Sequence, residues 1–148
     1  VRLTDGQDNV VLVTGVGTGT TNITVITSNG KSAACKVTVV RQTPSVNYST
    51  HVQDIGWQGW KMNDDTSGTS GQSKRLEAIR IKLTDELAEN YDIYYRVHAQ
   101  EFGWLGWAKN GESAGTEGYS YRLEAIQIQL VKKGSSAPGS TSNCFYKR

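Results

Sequence analysis

Tryptophan occurs four times in this chain, as Trp57 and Trp60 and again as Trp104 and Trp107, each pair set three residues apart among glycines. Side chains of this type at this spacing offer recognition of sugars. A pyranose lays its C–H face on an aromatic ring, the indole is the largest such platform, and its N–H adds a hydrogen bond. Polar groups that can catch hydroxyls accompany each pair: His51, Gln53 and Asn63 around the first, His98, Gln100 and Asn110 around the second. The same rings are equally well read as the core between two units, since tryptophan is highly buried on average. In that case His and Gln would hold the adjoining loops. Both readings hold if each pair buries one ring and presents the other.

Other chemistry is thinly supported. Arg75 with Glu77, and Arg122 with Glu124, read as structural ion pairs that anchor a neighbouring turn, because acid–base catalysis needs a second positioned carboxylate and none recurs. Asn63, Asp64, Asp65 and Ser67 have the composition of a calcium loop, but the later copy has Gly111 and Glu112 in place of the two aspartates. His51 and His98 lack neighbouring Cys or His ligands for zinc. No nucleophile elbow and no phosphate loop occurs. The expectation is therefore a protein that is not an enzyme and takes no metal or cofactor. Cys35 shares a strand face with Ala33, Val37 and Val39 and is expected to be a buried thiol. A Cys35–Cys144 bridge has little support from sequence.

The elements that carry these residues are written twice. Tyr48, His51, Gln53, Gly56, Trp57, Gly59, Trp60 and Asn63 return 47 positions later as Tyr95, His98, Gln100, Gly103, Trp104, Gly106, Trp107 and Asn110. The Gly68-Thr69 turn and the run Arg75-Leu76-Glu77-Ala78-Ile79, with Ile81 and Leu83, return in the same register as Gly115-Thr116, Arg122–Ile126, Ile128 and Leu130. A gapless period of this length is a duplicated supersecondary unit, and duplication profits a binding surface more than a catalytic site. Each copy reads as a strand (46–53, 93–100), a glycine-punctuated Trp segment, a G-T-x-G turn and a longer strand (75–83, 122–130). Leu87 to Asn90 between them suits one helical turn. Ile79, Ile81 and Leu83, with Ile126, Ile128 and Leu130, are expected to fill a core shared by the two copies. The fold class is all-β: residues 46–131 form a pseudo-two-fold antiparallel β-domain from two repeats, 46–83 and 93–130.

Before it, residues 1–41 alternate as strands at 10–14, 22–28 and 33–40, with Asn29-Gly30 as a type I′ hairpin turn. Residues 42–45, with Pro44, form a linker, and 132–148 a tail that reads as flexible through Ser135–Ser140. Val13, Gly15, Val16, Gly17, Gly19, Thr20, Ile23, Thr24 and Val25 follow the V-x-G-V-G-x-G-T-x-x-I-T-V pattern, so this segment resembles the closing half of a bacterial immunoglobulin-like domain, group 2. The resemblance implies a partial β-sandwich whose early strands come from upstream or from another chain.

Residues 48–60 (Y-S-T-H-V-Q-D-I-G-W-Q-G-W), 67–73 (S-G-T-S-G-Q-S) and 75–83 (R-L-E-A-I-R-I-K-L), with their counterparts, resemble the clostridial hydrophobic repeats with a recurring Trp. That resemblance covers both copies. It implies a secreted or cell-surface protein of a Gram-positive bacterium acting in substrate binding, cell-wall attachment or adhesion, with no catalytic role.

Composition sets the remaining bounds. With 148 residues, 16 glycines and only two prolines, the chain has the make-up of short strands and tight turns. A net charge of +2, evenly mixed, gives no footprint for nucleic acid. No apolar run approaches the roughly 20 residues of a membrane span. Two function classes follow. One is an extracellular, non-catalytic module holding a glycan or cell-wall polymer through Trp-centred sites on two repeats. The other is a structural protein of a surface assembly (a filament, an adhesin or a phage virion decoration) whose repeats contact other subunits. Those subunits would also complete the immunoglobulin-like half.

Overall fold

In the computed structural model residues 13–40 and 45–148 are described, and the chain divides into two compact units, Val1–Gln42 and Thr43–Arg148. Residues 1–12 and 41–44, which hold part of the expected first strand and most of the linker with Pro44, lie outside the described residues.

In the first unit β1 (Gly19–Ile26) and β2 (Ser32–Val39) form an antiparallel hairpin whose register runs from Gly19 opposite Val39 to Ile26 opposite Ser32. Its turn is not type I′. Only Gly30 has positive φ (80°), and the Gly30 N–H donates to Thr27 O while Thr27 N–H donates to Lys31 O. This is a three-residue loop with glycine in the left-handed position. Cys35 is exposed and free, contrary to the expected buried thiol. The alternation that puts it with Ala33 and Val37 holds, but among the described residues no second sheet covers that face. Val25, opposite Ala33 on the same face, stands open for the same reason.

The second unit is built from the duplication. In the first copy β3 (Val46–Val52) lies between β6 (Leu76–Leu83) on one side and the short β4 (Gly56–Trp57) and β5 (Lys61–Met62) on the other. After α1 (Asp85–Asn90) the second copy repeats the pattern. Here β7 (Tyr91–Ala99) lies between β11 (Leu123–Lys132) and the short β8 (Gly103–Trp104) and β9 (Ala108–Lys109). Two further strands have no counterpart in the first copy. β10 (Ala114–Glu117) pairs antiparallel with β6, and β12 (Phe145–Lys147) pairs parallel with β10.

The core lies where Ile81 and Leu83 of β6 meet Ile93, Tyr95, Val97 and Ala99 of β7, joined by Leu105, Ala108 and Ala114. Tyr95 is fully buried, its hydroxyl bonds to the Glu112 carbonyl, and burial pushes its pKa up to about 12. Burying such a side chain is worth about 2 kcal/mol over leaving it in water. The expectation of two buried stripes holds for Ile81 and Leu83 of the first copy, with Ile79 half-buried, and fails for the second. Ile126, Ile128 and Leu130 are 43, 54 and 50% exposed, while Ile81 and Leu83 are 3 and 7%. The difference lies in neighbours, since the strand sequences are nearly the same. β6 has the β7 stripe over its face and β10 on its edge, whereas β11 is the last strand of its sheet.

The segment read as a flexible tail is ordered. It folds back over the second copy, with Ser140 O accepting Trp107 N–H (2.8 Å) and Asn143 O accepting Gly106 N–H (3.3 Å), and ends as β12. At the start of β7, Asp92 accepts from Asn110 Nδ2 (2.8 Å) and pairs with Lys109 Nζ (2.9 Å). The Asn110 hydrogen bond, then Lys109, hold the Asp92 carboxyl below the usual carboxylate range. Its contribution is therefore fully present above the ordinary value of 3.8 and is lost as pH falls through the lowered one. Asp92→Asn is expected to flatten the acid limb of a stability–pH profile measured by urea unfolding; an unchanged acid limb would contradict this.

Candidate functional site

Strand register places the histidines against the tryptophans. His51 lies opposite Trp57 and His98 opposite Trp104 across the short β3–β4 and β7–β8 pairings. Ring centroids are 5.5 Å apart in both copies, edge to face at 75° and 85°. On the other side of each histidine stands the glutamate of the long strand. His51 Nδ1 is 3.1 Å from Glu77 Oε2, and His98 Nδ1 is 3.1 Å from Glu124 Oε2. Arg75 Nε holds Glu77 at 2.9 Å and Arg122 Nη2 holds Glu124 at 2.7 Å.

These glutamates are not on the apolar stripe, as simple alternation would have them. His51 pairs with Ala78 but Val52 pairs with Leu76, so Glu77 is a bulge residue turned to the other face; Glu124 does the same between Leu123 and Ala125. The ion pairs also do not anchor the G-T-x-G turn. In the first copy Gln58 does so, its Oε1 accepting Gly68 N–H (2.7 Å) and its Nε2 donating to Gly68 O (3.3 Å). Leu105 stands at the equivalent position of the second copy, so no repeated signal pointed to Gln58.

The four rings have different surroundings. Trp57 is half-buried, covered by the Arg80 guanidinium at 3.8 Å, and its Nε1 donates to Glu117 Oε2 (3.3 Å). Trp60 is 43% exposed, with the Lys82 ammonium 4.3 Å above it. Trp104 is 42% exposed and Trp107 is buried with Tyr94 and Val131. Arg96 lies over both, at 4.9 and 5.0 Å. Each pair thus presents one ring, though not the equivalent one, because the folded-back tail covers Trp107 while nothing similar covers Trp60. Between Trp104, Arg96 and the tail segment around Ser140–Asn143 runs a groove of about 490 Å³.

The asparagines are engaged elsewhere. Asn63 Oδ1 accepts Val46 N–H (3.3 Å) and Asn110 Oδ1 accepts Ile93 N–H (2.9 Å), each fixing the start of its copy's first strand. Gln100 accepts from Arg122 (3.1 Å), beside His98, and Gln53 is half-buried on the matching strand end. Arg80, Lys82 and Arg96, the cations on the rings, escaped a reading based on repetition, since Gln127, Gln129 and Ser49 stand at their counterparts. Alternation along β6 was the available signal, because Arg80 and Lys82 face away from the Ile stripe.

No helix among the described residues is long and apolar enough to cross a membrane. Neither a curated protein nor a solved structure matches the chain. A family model does, described as Clostridial hydrophobic W, and its repeats are non-catalytic modules typically found in extracellular, cell-surface-associated proteins. Both matched stretches begin on the histidine of the His–Trp–Glu cluster, and the chain therefore carries two tandem copies of the clostridial hydrophobic W repeat, at residues 51–85 and 98–132.

Proposed function

We infer that this protein is a non-catalytic, extracellular binding module for a cell-wall or other polysaccharide, with one exposed tryptophan per repeat as the sugar platform. The observation that carries this reading is Trp104, an exposed indole at the mouth of a groove furnished with Arg96 and lying next to His98. An exposed indole ringed by fixed polar groups suits a carbohydrate better than an apolar ligand. The second platform, Trp60 with Lys82 above it, would serve as an accessory contact on a long polymer. Cations over the exposed rings favour a polymer carrying anionic groups, such as uronate or phosphate.

Screening the chain on an array of neutral and anionic wall polysaccharides tests this. Trp104→Ala is expected to weaken binding by about 1–3 kcal/mol, the usual loss of an aromatic anchor, and Trp60→Ala by less. The double variant should lose more than either, through avidity. Binding to neutral and anionic polymers alike, indifferent to salt, would remove the anionic preference; no loss in any Trp variant would remove the platform.

A specific observation favours a second reading, a subunit of a surface assembly: the open faces of the β1–β2 hairpin and of β11. The first unit, which resembles the closing half of a bacterial immunoglobulin-like domain, would pair there with strands of another subunit.

A further inference from the structure

β11 is the same strand as β6 without its cover. Along its face Ile126, Ile128 and Leu130 line an open groove of about 640 Å³ together with Val46, Tyr48, Ile79, Ile81 and Ile93, so the exposed stripe continues directly into the core between the two copies. Along its outer edge no strand pairs with it among the described residues. Exposed edges are ordinarily blunted by charge, proline or shortness. This one is ten residues long and carries no charge from Ala125 to Val131.

Where the two copies differ along this strand shows what the edge can accept. A two-fold antiparallel pairing of β11 with itself, centred on Ile128, sets Ile128 opposite Ile128, Ile126 opposite Leu130 and Ala125 opposite Val131. Gln127 then lies opposite Gln129, and the flanks bring Glu124 beside Lys132 at both ends. The same operation on β6 would set Arg80 opposite Lys82, like charges facing across the pairing, which is destabilising. Glutamines at those two positions remove that obstacle in the second copy alone. A parallel pairing would stack like charges at each end.

We propose that β11 is a self-association edge, at which a second copy of this chain adds antiparallel about Ile128 to give a two-fold dimer with one continuous sheet. The two apolar stripes then lie side by side on one face of that sheet. The arrangement is isologous, so it closes at two. It is independent of the glycan reading, except that a dimer would double the number of tryptophan platforms.

Sedimentation velocity on the full chain over a concentration series tests it. The expected result is a reversible monomer–dimer equilibrium with nothing larger. Ile128→Lys puts two ammonium groups face to face at the axis and should raise the dissociation constant on the order of tenfold or more. Its circular dichroism should be unchanged, since Ile128 is already half exposed. Ile55→Lys, at an exposed apolar residue away from the strand, should leave the dimer intact. A chain that stays monomeric at every concentration overturns the proposal. So does growth past two that Ile128→Lys abolishes along with the dimer, which would mean head-to-tail packing at this edge, or a dimer indifferent to Ile128→Lys.

Discussion

Gly115→Ala is expected to destabilise the second unit by about 4 kcal/mol, combining strain at a backbone dihedral that L side chains avoid with overpacking. Gly115 has φ of 124°, and a Cβ there would lie 2.4 Å from the Glu77 carbonyl oxygen and 2.8 Å from Ala78 Cα. Neither atom can move without breaking the β10–β6 pairing that joins the two copies. Gly68, its counterpart, has nearly the same φ (127°), but a Cβ would meet only the flexible end of Leu76 at 3.4 Å. Gly68→Ala should therefore cost only the backbone strain, roughly 1–3 kcal/mol. Urea unfolding of the two variants measures the difference. Equal costs would mean that the pairing between copies adds little.

Gly106→Ala is the second large effect. A Cβ at Gly106 would stand 1.9 Å from the Ser142 carbonyl oxygen, so the folded-back tail must leave or Gly106 must shift. Releasing the tail breaks its hydrogen bonds to Gly106 and Trp107 and uncovers a buried indole, together about 3 kcal/mol. Trp107 emission should shift to the red, and limited proteolysis should cut within residues 133–143. Gly59, the counterpart, has nothing within 4 Å of such a Cβ, and Gly59→Ala should be silent in both assays. A protected tail in Gly106→Ala would contradict the placement of the tail.

The two glycine comparisons show what repetition can and cannot reveal. Matching residues 47 apart identified the two longer strands of each copy and the Arg–Glu pairs, and grouped each histidine with its tryptophans, because those depend on neighbours within a copy. It was silent on contacts between copies, where the duplication is broken. β10 pairs with β6, yet the first copy's Gly68-Thr69 segment gives β11 no such strand. Hence Ile81 and Ile128 could be matched from sequence while their opposite exposures could not. The bulges at Glu77 and Glu124 are a second limit, since strict alternation puts both on the apolar face. The tail was misread because Ser, Gly and Pro composition reports the absence of a core, not the presence of carbonyl groups that a neighbouring backbone can use.

In the proposed function Trp60 and Trp104 are the sugar platforms, while Trp57 and Trp107 are structural. The indole N–H signals of the four tryptophans, followed by NMR as the polysaccharide chosen from the array is added, address it directly. The signals of Trp104 and Trp60 should move with saturable dependence on polymer concentration. That of Trp107, under the tail, and that of Trp57, hydrogen-bonded to Glu117, should stay in place. Binding that leaves Trp60 and Trp104 unmoved would contradict the account.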